Sequence, residues 1–362
     1  MQLHAVLERL VARGHEVQLL VSRFPGCATE QQLRGVPVRR QGAWWNANFA
    51  LLAAAKRELR RQAYDVVLED VNKIPFYTPL VTRLPLVVLV PHLFGATIFR
   101  ETNPLFGSYL WLMERPLPWL FRRAWWIAIS ASTRADLERR GVDPQRLQVV
   151  HCGLDFASYD LAAPPPRDPR PTLVHVGRLM RYKRADVAVR ALAAVRRELP
   201  EARLLILGDG PERSRLEKLV RRLDLASAVE FHGHVPHRDK VRLLWTSHLL
   251  LNPSPKEGWG LTVVEANACG VPVVASRRPG LVDSVRHGET GLLVPFGDAD
   301  AFAVAALSLL RDPERWRRMG ENARAWARRF TWEEAALQTE AVLERAIEAH
   351  TAASPGAAVK RA

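Results

Sequence analysis

The segment between residues 249 and 276, LLLNPSPKEGWGLTVVEANACGVPVVAS, restricts the fold of this chain more than any other stretch. Its apolar start, residues 249–251, predicts a buried strand, and residues 261–269 predict a helix that ends at Gly270. The β-branched residues 271–275 predict a second short strand, of the kind that is covered on both faces in a parallel sheet. Strand, helix and strand in this order predict a βαβ unit and therefore an α/β fold.

Two glutamates flank the start of the predicted helix. Glu257 lies in the loop after the first strand and Glu265 lies about one turn into the helix, so both can face the crevice where open α/β sheets bind ligands. Gly258 and Gly260 leave the backbone uncovered at a helix N-terminus, which favours phosphate. Carboxylates beside a phosphate site suit a ligand with uncharged hydroxyl groups, such as a sugar or a ribose. The plainer alternative is a surface glutamate and a second glutamate on a solvated helix face.

The sequence EGWGLTVVEANACGVPVVAS, in which seven residues separate Glu257 from Glu265, closely resembles the signature of the retaining nucleotide-sugar glycosyltransferases of family 4, group 1. The resemblance covers nearly the whole chain and is strongest over residues 172–295. It implies the GT-B fold, an α/β fold with two Rossmann-like, doubly wound parallel-sheet domains that face a central cleft.

The expected domains follow from this resemblance and from a proline-rich linker at residues 161–170, LAAPPPRDPR. They are an acceptor-side domain at 1–163, a nucleotide-sugar donor-binding domain at 164–330, a helix at 331–349 that crosses back to the first domain, and a disordered tail at 350–362. Similar chains begin with a strand and a Gly-rich turn, whereas residues 1–13 predict a helix here. We expect that the first strand and its loop are missing, which leaves a gap in the first sheet.

The resemblance also implies roles for individual residues. Arg178 and Lys183, just after a predicted strand at 172–176, would stabilise the leaving diphosphate, and Glu257 would hold hydroxyl groups of the sugar. The catalytic residues implied in this way are His92, Arg178, Lys183 and Glu257. His92 follows a predicted strand at 86–90 and would contact the sugar or the acceptor hydroxyl; a plain loop histidine is the alternative. The implied donor-binding residues are Gly177, Gly258, Gly260, Leu261, Thr262, Glu265, His234 and Val235, with Glu265 on the ribose and the turn at His234 and Val235 against the nucleobase.

The implied reaction is metal-independent transfer of a sugar from a nucleotide diphosphate sugar, UDP- or GDP-linked, with retention of the anomeric configuration. The acceptor would be a glycan, a lipid-linked sugar or a small molecule, and no cofactor is expected. A retaining hexosyltransferase-type enzyme of polysaccharide biosynthesis is the main interpretation. A catalytically inactive or regulatory GT-B homologue is the alternative, because the first strand is missing. Asp298 and Asp300 imitate an Asp-x-Asp metal motif, but they precede an Ala-rich helix and are typical of an N-cap and a first helical turn.

The chain is strongly basic, with a net charge of +14 that is spread over both halves. This charge suits nucleotide diphosphates, an anionic membrane surface or nucleic acid. A nucleic-acid-binding motif is absent, so nucleic acid is not an expected partner. Residues 97–121 interleave aromatic side chains with arginines, which is typical of membrane docking, of an acceptor channel or simply of helices packed on a sheet. Three scattered cysteines and the lack of a signal peptide favour the cytoplasm, at the inner face of the membrane if the enzyme docks there.

Overall fold

A computed structural model describes residues 2–43, 46–72, 74–100, 102–161 and 163–353 of the 362-residue chain. The chain divides into two compact units. Unit 1 consists of Met1–Gly153 with Trp332–Ala362, and unit 2 consists of Leu154–Thr331. In the described ranges, no helix is both long and apolar enough to span a bilayer.

Unit 1 alternates helices with short strands. In chain order these are α1 (Gln2–Ala12), β1 (Leu19–Ser22), β2 (Glu30–Leu33), β3 (Val36–Gln41), α2 (Ala47–Arg61), β4 (Val67–Asp70), β5 (Leu86–Val90), α3 (Pro104–Glu114), α4 (Leu117–Leu120), β6 (Trp125–Ala128), α5 (Ala131–Arg139) and β7 (Leu147–Val149). The core lies against β5 and β6, where Trp126 and Phe121 are almost fully buried and their rings meet edge to face.

The strands of unit 1 form two sheets. One has the order β1-β3-β2, with β1 parallel and β2 antiparallel to β3, and the other is the parallel sheet β4-β5-β6-β7. Within the described ranges, β1 pairs only with β3 and β4 pairs only with β5, so each strand has one unpaired edge. The missing first strand stays a prediction. The sequence did not reveal β2, because its residues are polar and mostly exposed.

Unit 2 repeats the alternation around a single sheet. Its elements are β8 (Thr172–Val176), α6 (Ala185–Arg196), β9 (Arg203–Leu207), α7 (Arg213–Arg222), β10 (Val229–Gly233), α8 (His237–Thr246), β11 (Leu249–Asn252), α9 (Leu261–Ala268), β12 (Val273–Ser276), α10 (Leu281–Ser284), β13 (Gly291–Val294), α11 (Ala299–Leu310) and α12 (Pro313–Ala327), after which α13 (Trp332–Ala353) returns to unit 1. All pairs in the sheet β10-β9-β8-β11-β12-β13 are parallel. This confirms the predicted α/β fold with parallel sheets.

Strand β11 lies inside the sheet of unit 2, and its apolar side chains are buried there. Leu249, Leu250 and Leu251 of β11 are inaccessible to solvent, and α6 and α11 pack together over the core. Fully burying each such leucine contributes about 1.5–3 kcal/mol relative to exposure. The apolar run at residues 249–251 therefore lies in the middle of the sheet.

The boundary between the units differs from the prediction. Unit 2 begins at Leu154, so residues 154–163 belong to it and not to the first domain. The reason is burial of Tyr159, whose carbonyl accepts a 2.9 Å hydrogen bond from the indole of Trp245, while the Leu154 N–H donates to the Phe330 carbonyl at 2.8 Å.

The proline-rich linker is anchored rather than free. The Arg167 guanidinium donates to the carbonyls of five residues at 2.6–3.2 Å, namely Leu244, Trp245, Ser247, Cys269 and Gly270. Burial lowers the pKa of Arg167 to about 10, which leaves the group charged at neutral pH. Arg167 thus ties the linker to unit 2, and so does Asp168, whose N–H donates to the Thr246 carbonyl at 3.1 Å and whose carboxylate pairs with Arg203.

Helices α5 and α11 each begin at a residue whose side chain caps the helix. Ser130 caps α5, because its hydroxyl accepts a hydrogen bond from the Thr133 N–H at 3.1 Å. Asp298 does cap α11, accepting from the Ala301 N–H at 2.9 Å. The predicted disorder is wrong for residues 350–353, which belong to α13; the rest of the predicted tail, residues 354–362, lies outside the described residues.

Candidate functional site

The strand order of unit 2 determines where a ligand site can form. From β8 the chain moves outward through β9 to β10, and then returns to β11 on the other side of β8 and moves outward to β13. The winding direction therefore reverses between β8 and β11. In open parallel sheets, ligands bind outside the carboxyl ends of the strands at such a reversal.

A lysine and a glutamate from the two loops at this point contact each other. Lys183 follows β8 and Glu257 follows β11, and Lys183 Nζ donates to Glu257 Oε1 at 2.5 Å. Both side chains are largely buried, with exposures of 18% and 17%. The structure therefore pairs a cation that suits phosphate with a carboxylate that suits hydroxyl groups.

The backbone of the Glu257 loop is held by the turn before α10. The Glu257 N–H donates to the Pro279 carbonyl at 3.0 Å. At Gly280, where φ is +80°, a Cβ atom would lie 2.1 Å from the Glu257 carbonyl oxygen. Only glycine fits so close to the loop, so Gly280 positions Glu257. The sequence analysis missed this residue, and its only local signal is the Pro-Gly pair.

The N-terminus of α9 lies in the same loop. Gly260 occupies the cap position with φ of +79°, and a Cβ atom there would lie 2.7 Å from the hydroxyl of Ser284. No side chain caps the helix, and its backbone bonds begin with the N–H groups of Val263 and Val264, which donate to Gly260. The N–H groups of Leu261 and Thr262 thus belong to the first turn of a helix, where they are half-buried, and such a turn attracts anions.

Glu265 lies on the buried side of α9, only 6% exposed. Its Oε1 accepts hydrogen bonds from the Tyr159 hydroxyl at 2.8 Å and from Lys240 Nζ at 2.7 Å. Burial, followed by the charge of Glu265, raises the pKa of Tyr159, so this hydroxyl remains a donor. The alternative of a solvated glutamate is therefore wrong for Glu265. The sequence analysis missed both partners, since nothing local to Tyr159 or Lys240 indicates them.

Arg178 and Gly177 are the other residues predicted at the end of β8. Arg178 is exposed, and its Nη2 lies 3.4 Å from the Tyr182 hydroxyl. The Gly177 N–H donates to the Leu207 carbonyl at 2.9 Å, which ties the end of β8 to β9. In the described contacts, Arg178 bonds neither Lys183 nor Glu257, and its side chain is exposed to solvent.

His175 in the middle of β8 was missed by the sequence analysis. It is 2% exposed, and its Nδ1 lies 3.1 Å from the Leu251 carbonyl. Burial, assisted by the charge of Lys183, lowers the pKa of His175 to about 4. The ring is therefore neutral at pH 7, and Nδ1 carries the proton because a carbonyl can only accept. A histidine within the apolar run TLVHV is the signal that was available.

The remaining predicted residues are His234, Val235, Gly258 and His92. His234 is exposed and Val235 half-buried directly after β10, and Gly258 is half-buried in the Glu257 loop. His92 follows β5 in unit 1, where its ring meets that of Phe94 edge to face at 4.8 Å. No cluster of three or more side chains in the described ranges has the composition of a metal site.

Two family profiles match the chain almost end to end. The family described as "Glycosyltransferase Family 4" matches residues 1–158, and "Glycosyl transferases group 1" matches residues 160–326. The second match contains all the predicted site residues of unit 2, and Tyr159 lies just before it.

Individual relatives agree with these profiles. The chain is 40% identical over 153 residues to N-acetyl-alpha-D-glucosaminyl L-malate synthase of Bacillus anthracis, a match that covers 42% of this chain and 39% of that protein. It is 36% identical over 230 residues to D-inositol 3-phosphate glycosyltransferase 2 of Catenulispora acidiphila, covering 58% of this chain and 52% of the relative. The matches thus span about half or less of these relatives. Among solved structures, sucrose-phosphate synthase of Thermosynechococcus elongatus superimposes with a TM-score of 0.79 at 25% identity, covering 96% of this chain and 93% of the other.

Proposed function

Because the chain belongs to the group 1, family 4 glycosyltransferases and has the GT-B fold, we propose that it moves a sugar from a nucleotide diphosphate sugar to an acceptor hydroxyl. We further propose that the transfer retains the anomeric configuration and needs no metal ion. The observation that carries the proposal is the Lys183–Glu257 pair beside the N-terminus of α9, at the strand reversal of unit 2.

Binding of the diphosphate would use fixed positive groups. The first-turn N–H groups of α9, at Leu261 and Thr262, would face the phosphates together with Lys183 and the exposed Arg178. These cations would neutralise the charge that builds up on the departing phosphate, which is the role a divalent ion has in other transferases. Metal independence follows from this arrangement as part of the proposal.

The two glutamates would bind hydroxyl groups. Glu265 would accept from the ribose, with its carboxylate oriented by Tyr159 and Lys240. Glu257 would accept from the transferred sugar while Lys183 turns toward the phosphates. A nucleobase would lie against the main chain at His234 and Val235. Main-chain contacts do not distinguish bases strongly, so the proposal covers UDP- and GDP-linked donors.

Retention would follow from attack on the same face that the diphosphate leaves. The bond between the anomeric carbon and the β-phosphate oxygen breaks, and the acceptor oxygen forms its bond to that carbon. The acceptor proton passes to the departing phosphate oxygen. His92 in unit 1 would contact the acceptor or sugar hydroxyl. The acceptor is proposed to be a glycan, a lipid-linked sugar or a small molecule, with the enzyme working in the cytoplasm at the inner membrane face.

A catalytically inactive homologue is the second candidate, and the split sheet of unit 1 favours it. In such a protein unit 2 would still fold, but acceptor binding by unit 1 would be lost. The two candidates differ in whether sugar transfer accompanies nucleotide binding.

Isothermal titration of UDP, GDP and ADP tests the donor site. We expect one nucleotide to bind, and Glu265→Ala to weaken that binding at least tenfold because the ribose hydroxyls lose a charged acceptor, an effect of about 1.5–3 kcal/mol. Glu321→Ala is the matched control, since Glu321 is exposed on α12. Binding of none of the three nucleotides would contradict the proposal. Transfer from the matching sugar nucleotide in EDTA, with the product anomer assigned by NMR, would separate an active enzyme from an inactive homologue.

A further inference from the structure

Helices α3 and α4 of unit 1 expose a group of large apolar side chains. We call this group the aromatic surface; its members are Leu105, Phe106, Tyr109, Trp111, Leu112 and Trp119. The exposure is large: 87% for Leu105 and 66% for Trp119. Large apolar side chains gathered in this way on two consecutive helices mark an interaction site rather than the scattered exposure of ordinary surfaces.

Burial of α3 involves only one narrow face. Its buried residues are Gly107, Leu110 and Glu114, which recur at the three- and four-residue spacing of one helix face. An ordinary surface helix would carry charged residues on the remaining faces. Residues 104–113 contain none, so the helix is apolar also where it faces solvent.

The charges around the aromatic surface have one sign. Arg115, Arg122 and Arg123 are exposed. The only acidic residue between positions 102 and 123 is Glu114, which is 1% exposed and accepts from the backbone N–H groups of Phe94 and Gly95 at 2.7 and 2.8 Å. Between positions 102 and 123, the surface therefore presents positive charge that no exposed carboxylate of this stretch offsets.

Arginine and tryptophan side chains are placed together on this surface. The Arg115 guanidinium lies 4.5 Å from the ring centre of Trp111, and that of Arg122 lies 5.9 Å from the ring of Trp119. Tryptophan and tyrosine favour the headgroup level of bilayers, and arginine reaches the lipid phosphates from the same depth. A protein partner would need carboxylates opposite the arginines, whereas an anionic bilayer supplies both the apolar layer and the negative charge.

We propose that the aromatic surface docks on an anionic lipid bilayer, with its apolar side chains in the headgroup region and Arg115, Arg122 and Arg123 against lipid phosphates. This deepens the proposed function, in which a membrane surface is a partner, by naming the residues that bind it. Docking belongs to unit 1 and nucleotide binding to unit 2, so each can fail without the other.

Co-sedimentation with vesicles tests the proposal. The full chain should bind vesicles that contain phosphatidylglycerol and phosphatidylcholine, bind vesicles of phosphatidylcholine alone much more weakly, and lose affinity as salt rises. The double variant Arg122→Gln/Arg123→Gln should bind roughly 30-fold more weakly, as expected for about 1 kcal/mol per arginine. Arg317→Gln/Arg318→Gln, an exposed adjacent pair on α12, is the matched control and should bind like the parent chain.

A second variant tests whether vesicle binding needs the apolar side chains as well as the positive charge. Leu105→Ser/Leu112→Ser should also lose vesicle binding, whereas Val304→Ser, at an exposed apolar position on α11, should not. Circular dichroism and nucleotide titration verify that the variants remain folded. The proposal would be overturned by equal binding to both vesicle types or by an equal loss of binding in the Arg317/Arg318 control. It would also be overturned by a concentration-dependent dimer that Leu105→Ser/Leu112→Ser abolishes, because the partner of the surface would then be a second copy of the chain.

Discussion

Lys183 and Glu257 are 74 positions apart in the chain, yet their side chains form a 2.5 Å hydrogen bond in unit 2. The pair exists because β8 and β11 are neighbours in the sheet, with their carboxyl ends at the same edge. Opposite charges this close and mostly shielded from water hold each other in place. A bound diphosphate would compete with Glu257 for Lys183 and release the carboxylate for sugar hydroxyls.

Separate replacement of the two residues should have different effects. Lys183→Ala should weaken nucleotide binding and lower transfer by about 10²–10³-fold, because a charge that stabilises the leaving group is lost. Glu257→Gln should lower transfer while nucleotide affinity stays nearly unchanged. Titration and initial rates measure both quantities, with Lys218→Ala at an exposed position as control. Equal loss of nucleotide affinity in both variants would contradict the division of roles.

Gly280→Ala should reduce transfer without unfolding the protein. The added methyl group would meet the Glu257 carbonyl at 2.1 Å and push the loop away from Lys183. Gly288→Ala is a close control, because Gly288 also has a positive φ of +83° but a Cβ there meets nothing within 4 Å. Both variants place an L-residue at a positive φ, and Gly280→Ala adds the contact with the Glu257 carbonyl. The proposed positioning role therefore requires a larger rate loss at Gly280 than at Gly288 when both variants are assayed well below their unfolding midpoints.

The buried ring of His175 should make stability depend on pH. Its pKa is about 4 in the folded protein against an ordinary 6.5, so between these values the unfolded chain binds a proton that the folded chain does not. Stability is then full above pH 6.5 and falls as the pH drops toward 4, by on the order of 3 kcal/mol.

Urea unfolding between pH 4 and pH 7 measures this dependence. His248 also has a pKa lowered to about 4 and contributes in the same direction, whereas the pKa of Asp70, raised to about 6, contributes in the opposite direction. The effect of His175 is therefore the difference between the parent chain and His175→Gln, whose stability should change less steeply. Parallel curves for the two proteins would show that His175 does not contribute.

Arg167→Lys should destabilise unit 2 by about 3 kcal/mol, because an ammonium group cannot reach the carbonyls on both sides that the planar guanidinium bonds. Carbonyls of five residues accept from Arg167, including Trp245 at 2.6 Å and Cys269 at 2.9 Å. The urea midpoint is the measurement, and Arg317→Lys on the exposed side of α12 is the control. A change no larger than that of the control would show that the linker is not held by Arg167.

Local patterns predicted most strands and helices. The largely apolar runs of β5 and β8 mark those strands to the residue, because strands buried on both faces consist mainly of apolar residues. The glycine at position 260 similarly marks the start of α9. Where burial was absent, as in the polar and exposed β2, the sequence carried no comparable signal.

The sequence by itself determined the α/β class and the central βαβ unit, since these depend on periodicity and on glycines within a short stretch, and its resemblance to the family 4 signature supplied the candidate donor residues. Only the tertiary structure decided which side chains meet: Lys183 with Glu257, Tyr159 and Lys240 with Glu265, and Gly280 behind the Glu257 loop. It also decided that residues 154–163 belong to unit 2 and that α3 faces solvent with apolar side chains. The physical reason is that these contacts join residues far apart in the chain, and their pairing follows from strand order and packing, which no local pattern of residues encodes.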